Sequence, residues 1–151
     1  MNGKLIGLGV LAVLTAVVVM VVSGGSKVPD GPVPIAWDRE PCAHCHMQIG
    51  EPRHAVQLIT TEGRVFSFDD VGCAIEYIRQ RAPAVHRLWF HGEGDAWLAT
   101  DMVGFVKTEV TPMGSGLLAV DKREADARTF GEVMKDFKAP AAPRGDGEGV
   151  P

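Results

Sequence analysis

The chain has 151 residues, 46% of them hydrophobic and 23% charged, with 18 Gly, 10 Pro and three Cys. That length holds one ordinary domain and excludes a multidomain enzyme. The formal charge of −4 leaves no basic footprint for nucleic acid, and three cysteines cannot form a fully paired disulfide scaffold.

Leu5 to Val22 is an uncharged apolar run of about 18 residues, long enough at about 1.5 Å per residue to approach the thickness of a hydrocarbon core. It is longer than the apolar region of a typical signal peptide, so residues 1–22 read as an uncleaved membrane anchor. Lys4 and Lys27 flank it, and the positive-inside rule gives only a weak preference for a cytoplasmic N-terminus. Residues 23–34 (SGGSKVPDGPVP to Pro34) read as a flexible tether and residues 139–151, rich in Ala, Pro and Gly, as a disordered tail. The folded domain is expected over 35–138.

Within it, His54 to Thr60 and Arg64 to Phe68 predict a hairpin turning at Glu62-Gly63. A helix follows, capped by Asp69 or Asp70, with Val71, Ala74, Ile75 and Ile78 on one face and Pro83 ending the run. Val85 to Phe90, Met102 to Thr108 and Leu117 to Val120 predict further strands. Asp121 with Glu124 three residues on reads as a capping box opening a second helix, and Phe130, Val133, Met134 and Phe137 carry its apolar spacing. Strand, strand, helix thus occurs twice, which predicts an α+β domain of two related strand-strand-helix units behind a single N-terminal transmembrane helix.

The densest group of soft ligands is Cys42-Ala43-His44-Cys45-His46-Met47. Three chemistries fit it. Cys42-x-x-Cys45-His46 matches the c-type haem attachment pattern, which makes an electron-transfer haem protein the alternative function. The two thiols could also pair as a disulfide, serve a thiol oxidoreductase or hold zinc. Cu(I) is the third, since thiolate and thioether donors favour this soft ion and Cys45-x-Met47 is a compact pair. Met113, in the tight loop Thr111 to Gly116, is a remote thioether that could join it. Cys73 falls in the first turn of the first helix, where a buried small hydrophobe is the ordinary reading and a redox or ligand role stays open. No phosphate loop, nucleophilic triad or pair of catalytic carboxylates stands out, so the chain is not read as an enzyme.

Taken in order, Trp37-Asp38, the Cys42 to Met47 group, Glu51-Pro52-Arg53, the run Gly63-Arg64-Val65-Phe66-Ser67-Phe68-Asp69-Asp70-Val71-Gly72-Cys73, and Thr111 to Gly116 resemble the NosL-type accessory proteins of nitrous oxide reductase, copper chaperones of the bacterial cell envelope. The resemblance covers roughly residues 35–137. It implies a fold related to that of organomercurial lyase and Cu(I) held by Cys45 and Met47 with Met113 as partner; Cys42 and His46 complete the candidate metal ligands. It further implies a periplasmic domain on the inner membrane and, as partners, apo-nitrous oxide reductase or its membrane maturation complex. Typical members carry a lipid on a cysteine after the signal peptide. This chain has no cysteine before Cys42, so the apolar segment would take the lipid's place as anchor.

Overall fold

A computed structural model describes residues 27–140. The expected anchor and most of the expected disordered tail lie outside the described residues. Among those described, no helix is long and apolar enough to cross a membrane.

Among the described residues the fold is α+β, with two α-helices and two antiparallel sheets. Its strands are β1 (Val56–Thr60), β2 (Val65–Phe68), β3 (Val85–His91), β4 (Trp97–Ala99), β5 (Val103–Lys107) and β6 (Leu117–Asp121). The helices are α1 (Val71–Arg81), after β2, and α2 (Phe130–Asp136), after β6. The larger sheet has the order β2-β1-β3-β4 and the smaller pairs β5 with β6.

The expected hairpin forms with Val56 opposite Phe68 and Ile59 opposite Val65. Strand β1 is central and buried along its whole length. Val56 and Leu58 belong to the hydrophobic core. Gln57, also buried, is satisfied by the chain preceding the domain: its Oε1 accepts from the Val33 amide at 2.8 Å and its Nε2 donates to the Val33 carbonyl at 2.9 Å. The end of the expected tether is therefore pinned to the sheet, because an unpaired buried amide would be costly.

Asp70 caps α1, and the helix stops at Ala82 in the left-handed region, with its amide on the Ile78 carbonyl and Pro83 next in sequence. The start of the second helix differs from expectation. Asp121 ends β6 opposite Val103, so its backbone already belongs to a strand ladder. Its carboxylate accepts from the Arg123 amide and guanidinium, closing a turn. The chain then pairs Arg128 with Phe105 before α2 begins. The capping box is Thr129 with Glu132, each side chain reaching the other's amide. Strand β4, short and half-buried, has no counterpart among the predicted elements.

The two sheets share one core. Phe90 of β3 meets Phe105 of β5 edge-on at 5.0 Å between centroids, and Phe130 of α2 tilts against Phe90 at 5.1 Å. Edge and tilted contacts of this kind are favoured by the aromatic quadrupole. They fix β5 and α2 against β3 of the larger sheet.

Candidate metal centre

Two loops and one helix build the site. The first loop leaves the bridge between Pro41 and Gln48. Within it the Cys42 amide donates to the Met47 carbonyl at 2.8 Å and the His46 amide to the Cys42 carbonyl at 3.0 Å. The turn closes with His46 in the left-handed region, at φ 64°. The Ala43 amide donates to the Ser67 carbonyl of β2, tying the turn to the larger sheet. These bonds leave the Cys42 side chain fully buried and Cys45 half-buried.

Helix α1 supplies the third thiol. Asp70 Oδ1 accepts from the Gly72 amide at 2.6 Å, which sets the first turn and directs Cys73 inward. The sulfur atoms of Cys42, Cys45 and Cys73 all lie within 4.8 Å of one another, and all three cysteines are unpaired. Cys73 is thus both the buried first-turn residue the sequence predicted and a member of the sulfur group. No spacing announced this, because a convergence of positions 42, 45 and 73 depends on how α1 packs over the loop.

The second loop places Met113 by hydrogen bonding to the helix cap. The Met113 amide donates to Asp70 Oδ2 at 3.1 Å. Thr111 and Ser115 hydroxyls pair at 3.3 Å, and the Gly116 amide donates to Thr111 Oγ1, holding the loop in shape. Met113 packs against the core. With His44, Gly72, Cys73, Glu76, Ser115 and Phe137 it lines a cavity of about 160 Å³. Ala139 and Pro140 form part of the same wall, so the start of the expected disordered tail borders this mouth. The other two sequence candidates face outward: Met47 is 56% exposed and His46 is exposed.

The thiols are electrostatically unequal. The Cys73 thiol beside Cys42 lowers the Cys42 pKa to about 5, against the opposing effect of burial, and backbone hydrogen bonds at Cys45, Asp69 and His44 add to the lowering. Cys73 is pushed up, chiefly by its hydrogen-bonding relation to Cys42 and then by burial. Burial also raises Cys45. The three thiols are thus unequal, with Cys42 the one that gives up its proton most readily and Cys45 and Cys73 holding theirs more firmly. Asp69, buried next to this charge, is raised to about 6, first by desolvation and then by the Cys42, Asp70 and Glu51 charges, with a Gly50 backbone hydrogen bond opposing.

The class defined at this point is a small α+β domain carrying three sulfur donors that could hold a metal ion. No protein-family model, curated protein or solved structure matches the chain.

Proposed function

We propose that the chain is a membrane-anchored Cu(I) carrier working on the periplasmic side of the inner membrane. Cu(I) is its cargo, taken up reduced and passed by ligand exchange to apo-nitrous oxide reductase or its maturation complex. The observation that carries the metal-binding part is the convergence of Cys42, Cys45 and Cys73. Among the described residues, no histidine or carboxylate joins this set. Three sulfurs suit a soft ion of low coordination number, whereas structural zinc takes four ligands.

Transfer requires an approach for incoming ligands. Half-buried Cys45, exposed Met47 and the mouth at Met113 supply one, while Cys42 and Cys73 stay covered. In this reading Cys42 and Cys73 retain the ion, and Cys45, with the Met47 and Met113 thioethers, exchanges it. The client rests on the resemblance to NosL-type proteins, the anchor on the length of the apolar run Leu5 to Val22, and the pairing of two strand-strand-helix units on the sequence pattern.

The test is anaerobic titration of the detergent-solubilised full chain with Cu(I) against a chromogenic chelator. One tightly held Cu(I) per chain is expected, with weakened binding and slowed transfer in Cys45→Ala. A Soret band surviving acid-acetone extraction would make the chain a c-type haem protein instead. Transfer is checked by loading apo-nitrous oxide reductase from the copper form.

A further inference from the structure

The chain that precedes the domain crosses the larger sheet in a definite direction. Trp37 stands edge-on to His91 at 6.0 Å, and the His91 amide donates to the Ala55 carbonyl, just before β1. Nearer the N-terminus, Val33 holds Gln57, which lies further along β1 toward Thr60. Followed backwards, the chain therefore advances toward the Thr60 end of the sheet. Val28, Pro29, Gly31 and Pro32 are half-buried. Ile59 shares a strand face with Gln57; it is fully buried yet stands outside the core cluster that Val56 and Leu58 join from the opposite face. An extended chain continuing from Val33 over Ile59 accounts for both burials. It brings exposed Lys27 out at the Thr60 end.

That end of the domain is where unpaired cations collect. Thr60 stands opposite Val85, and its amide donates to the Arg64 carbonyl at 2.9 Å. Arg87 is opposite Ile59, and Arg81 closes α1 shortly before β3 begins. Lys27, Arg64, Arg81 and Arg87 are all exposed, and among the described residues none of them joins an ion pair. Arg64 and Arg87 lie over the rings of Phe66 and Trp89, at 5.5 and 5.7 Å, and Val85 beside them is 37% exposed. The carboxylates of this region are Asp30, Glu62 and Asp101. Cations thus exceed anions here, in a chain whose formal charge is −4.

The thiols are at the other end. Cys73 lies in the first turn of α1, whereas Arg81 is its last residue, about 12 Å further along the axis. The loop carrying Cys42 and Cys45 is tied to Ser67, toward the end of β2, whereas Arg64 precedes that strand. Chain length then sets the distance to a bilayer. Between Val22, where the apolar run ends, and Lys27 the fully extended chain spans at most about 18 Å.

We propose that the end of the domain bearing Lys27, Arg64, Arg81, Arg87 and Val85 docks on an anionic phospholipid surface, so that the thiols and the Met113 mouth face away from the bilayer. Cations near such a surface are attracted within about a Debye length, and the short connection keeps them there. The proposal rests on reading residues 1–22 as a membrane anchor. It gives an incoming partner access to the copper site from the aqueous side.

The full chain, isotope-labelled and reconstituted in lipid nanodiscs, tests the orientation. One set of discs is phosphatidylcholine alone and the other contains about a quarter phosphatidylglycerol; both carry a trace of lipid with a gadolinium-chelating headgroup. Amide signals of Val85 to Arg87 should relax at least about twofold faster than those of Cys73 and Met113 in the anionic discs. This contrast should shrink in neutral discs and in Arg81→Glu, whose exposed side chain makes no contact that stability depends on. An unchanged melting temperature in Arg81→Glu confirms that the fold is intact. Faster relaxation at Met113 than at Val85, or a contrast indifferent to lipid charge, would overturn the proposal. Flotation with neutral vesicles in high salt reads the anchor separately. A chain that fails to float overturns the anchor and this orientation together, whereas one that floats without the contrast overturns the orientation alone.

Discussion

Asp70 Oδ2 accepts the backbone amide of Met113 at 3.1 Å across 43 residues of sequence, while its Oδ1 caps α1 through Gly72. One buried carboxylate therefore sets both the helix turn that aims Cys73 and the loop that carries Met113. Cap and loop are coupled, and the candidate site depends on a residue that donates no ligand to it.

Asp70→Ala should consequently damage stability and metal binding together. Loss of an N-cap costs about 1 kcal/mol, and leaving the Met113 amide without a partner adds about 1–3 kcal/mol. Urea denaturation should show the sum, roughly 2–4 kcal/mol, and a chelator competition should show weaker Cu(I) retention. Asp70→Asn, which keeps one acceptor, should fall between.

Gly72 is a position where the backbone approaches its neighbours too closely for a side chain. An added Cβ would stand 2.8 Å from Phe137 Cζ and 2.9 Å from Ser115 Cβ. Gly72→Ala should destabilise by about 1–3 kcal/mol through overpacking. It should also push the Ser115 loop, and Met113 with it, away from Cys73. Thermal melts and Cu(I) competition on the same sample check both effects.

Cys73→Ser and Met113→Leu separate ligation from packing. Cys73→Ser keeps the size of the side chain but loses the soft donor, so Cu(I) affinity should fall about tenfold or more. Met113→Leu conserves volume, so stability should change by less than about 1.5 kcal/mol, with a smaller loss of affinity than in Cys73→Ser. Equal affinities in wild type and Cys73→Ser would remove Cys73 from the ligand set.

His54 gives the domain a pH dependence of known sign. Burial lowers its pKa, Arg53 lowers it further, and the charges of Glu51 and Asp70 oppose. The unfolded chain takes up a proton near pH 6.5, while the buried ring resists it. Unfolding therefore gains protons as pH drops, and stability is lost below about pH 6.5 until the folded group also titrates. Denaturation curves at pH 7.5, 6.5 and 5.5 should show less acid loss in His54→Gln than in wild type. Parallel losses in both would assign the dependence to other groups.

Much of the framework was legible because it depends on local periodicity and end chemistry. The alternation in Val65 to Phe68, the Asp70 cap and the helical face of Val71, Ala74, Ile75 and Ile78 each specify their own element. The second helix was misplaced because Asp121 and Glu124 carry the spacing of a capping box. Only strand pairing with Val103 commits the Asp121 backbone elsewhere. Trp97–Ala99 was missed because three residues are too short to display a period; they are a strand through their pairing with β3.

The sequence by itself determined that soft donors cluster at Cys42 to Met47 and that Cys73 begins a helix. Tertiary structure decided which of them meet. Packing of α1 over the first loop brings Cys73 to Cys42 and Cys45, while the turn closed by the Met47 carbonyl leaves the Met47 side chain facing outward. Proximity of ligand atoms across 31 residues follows from long-range packing, which no local spacing encodes.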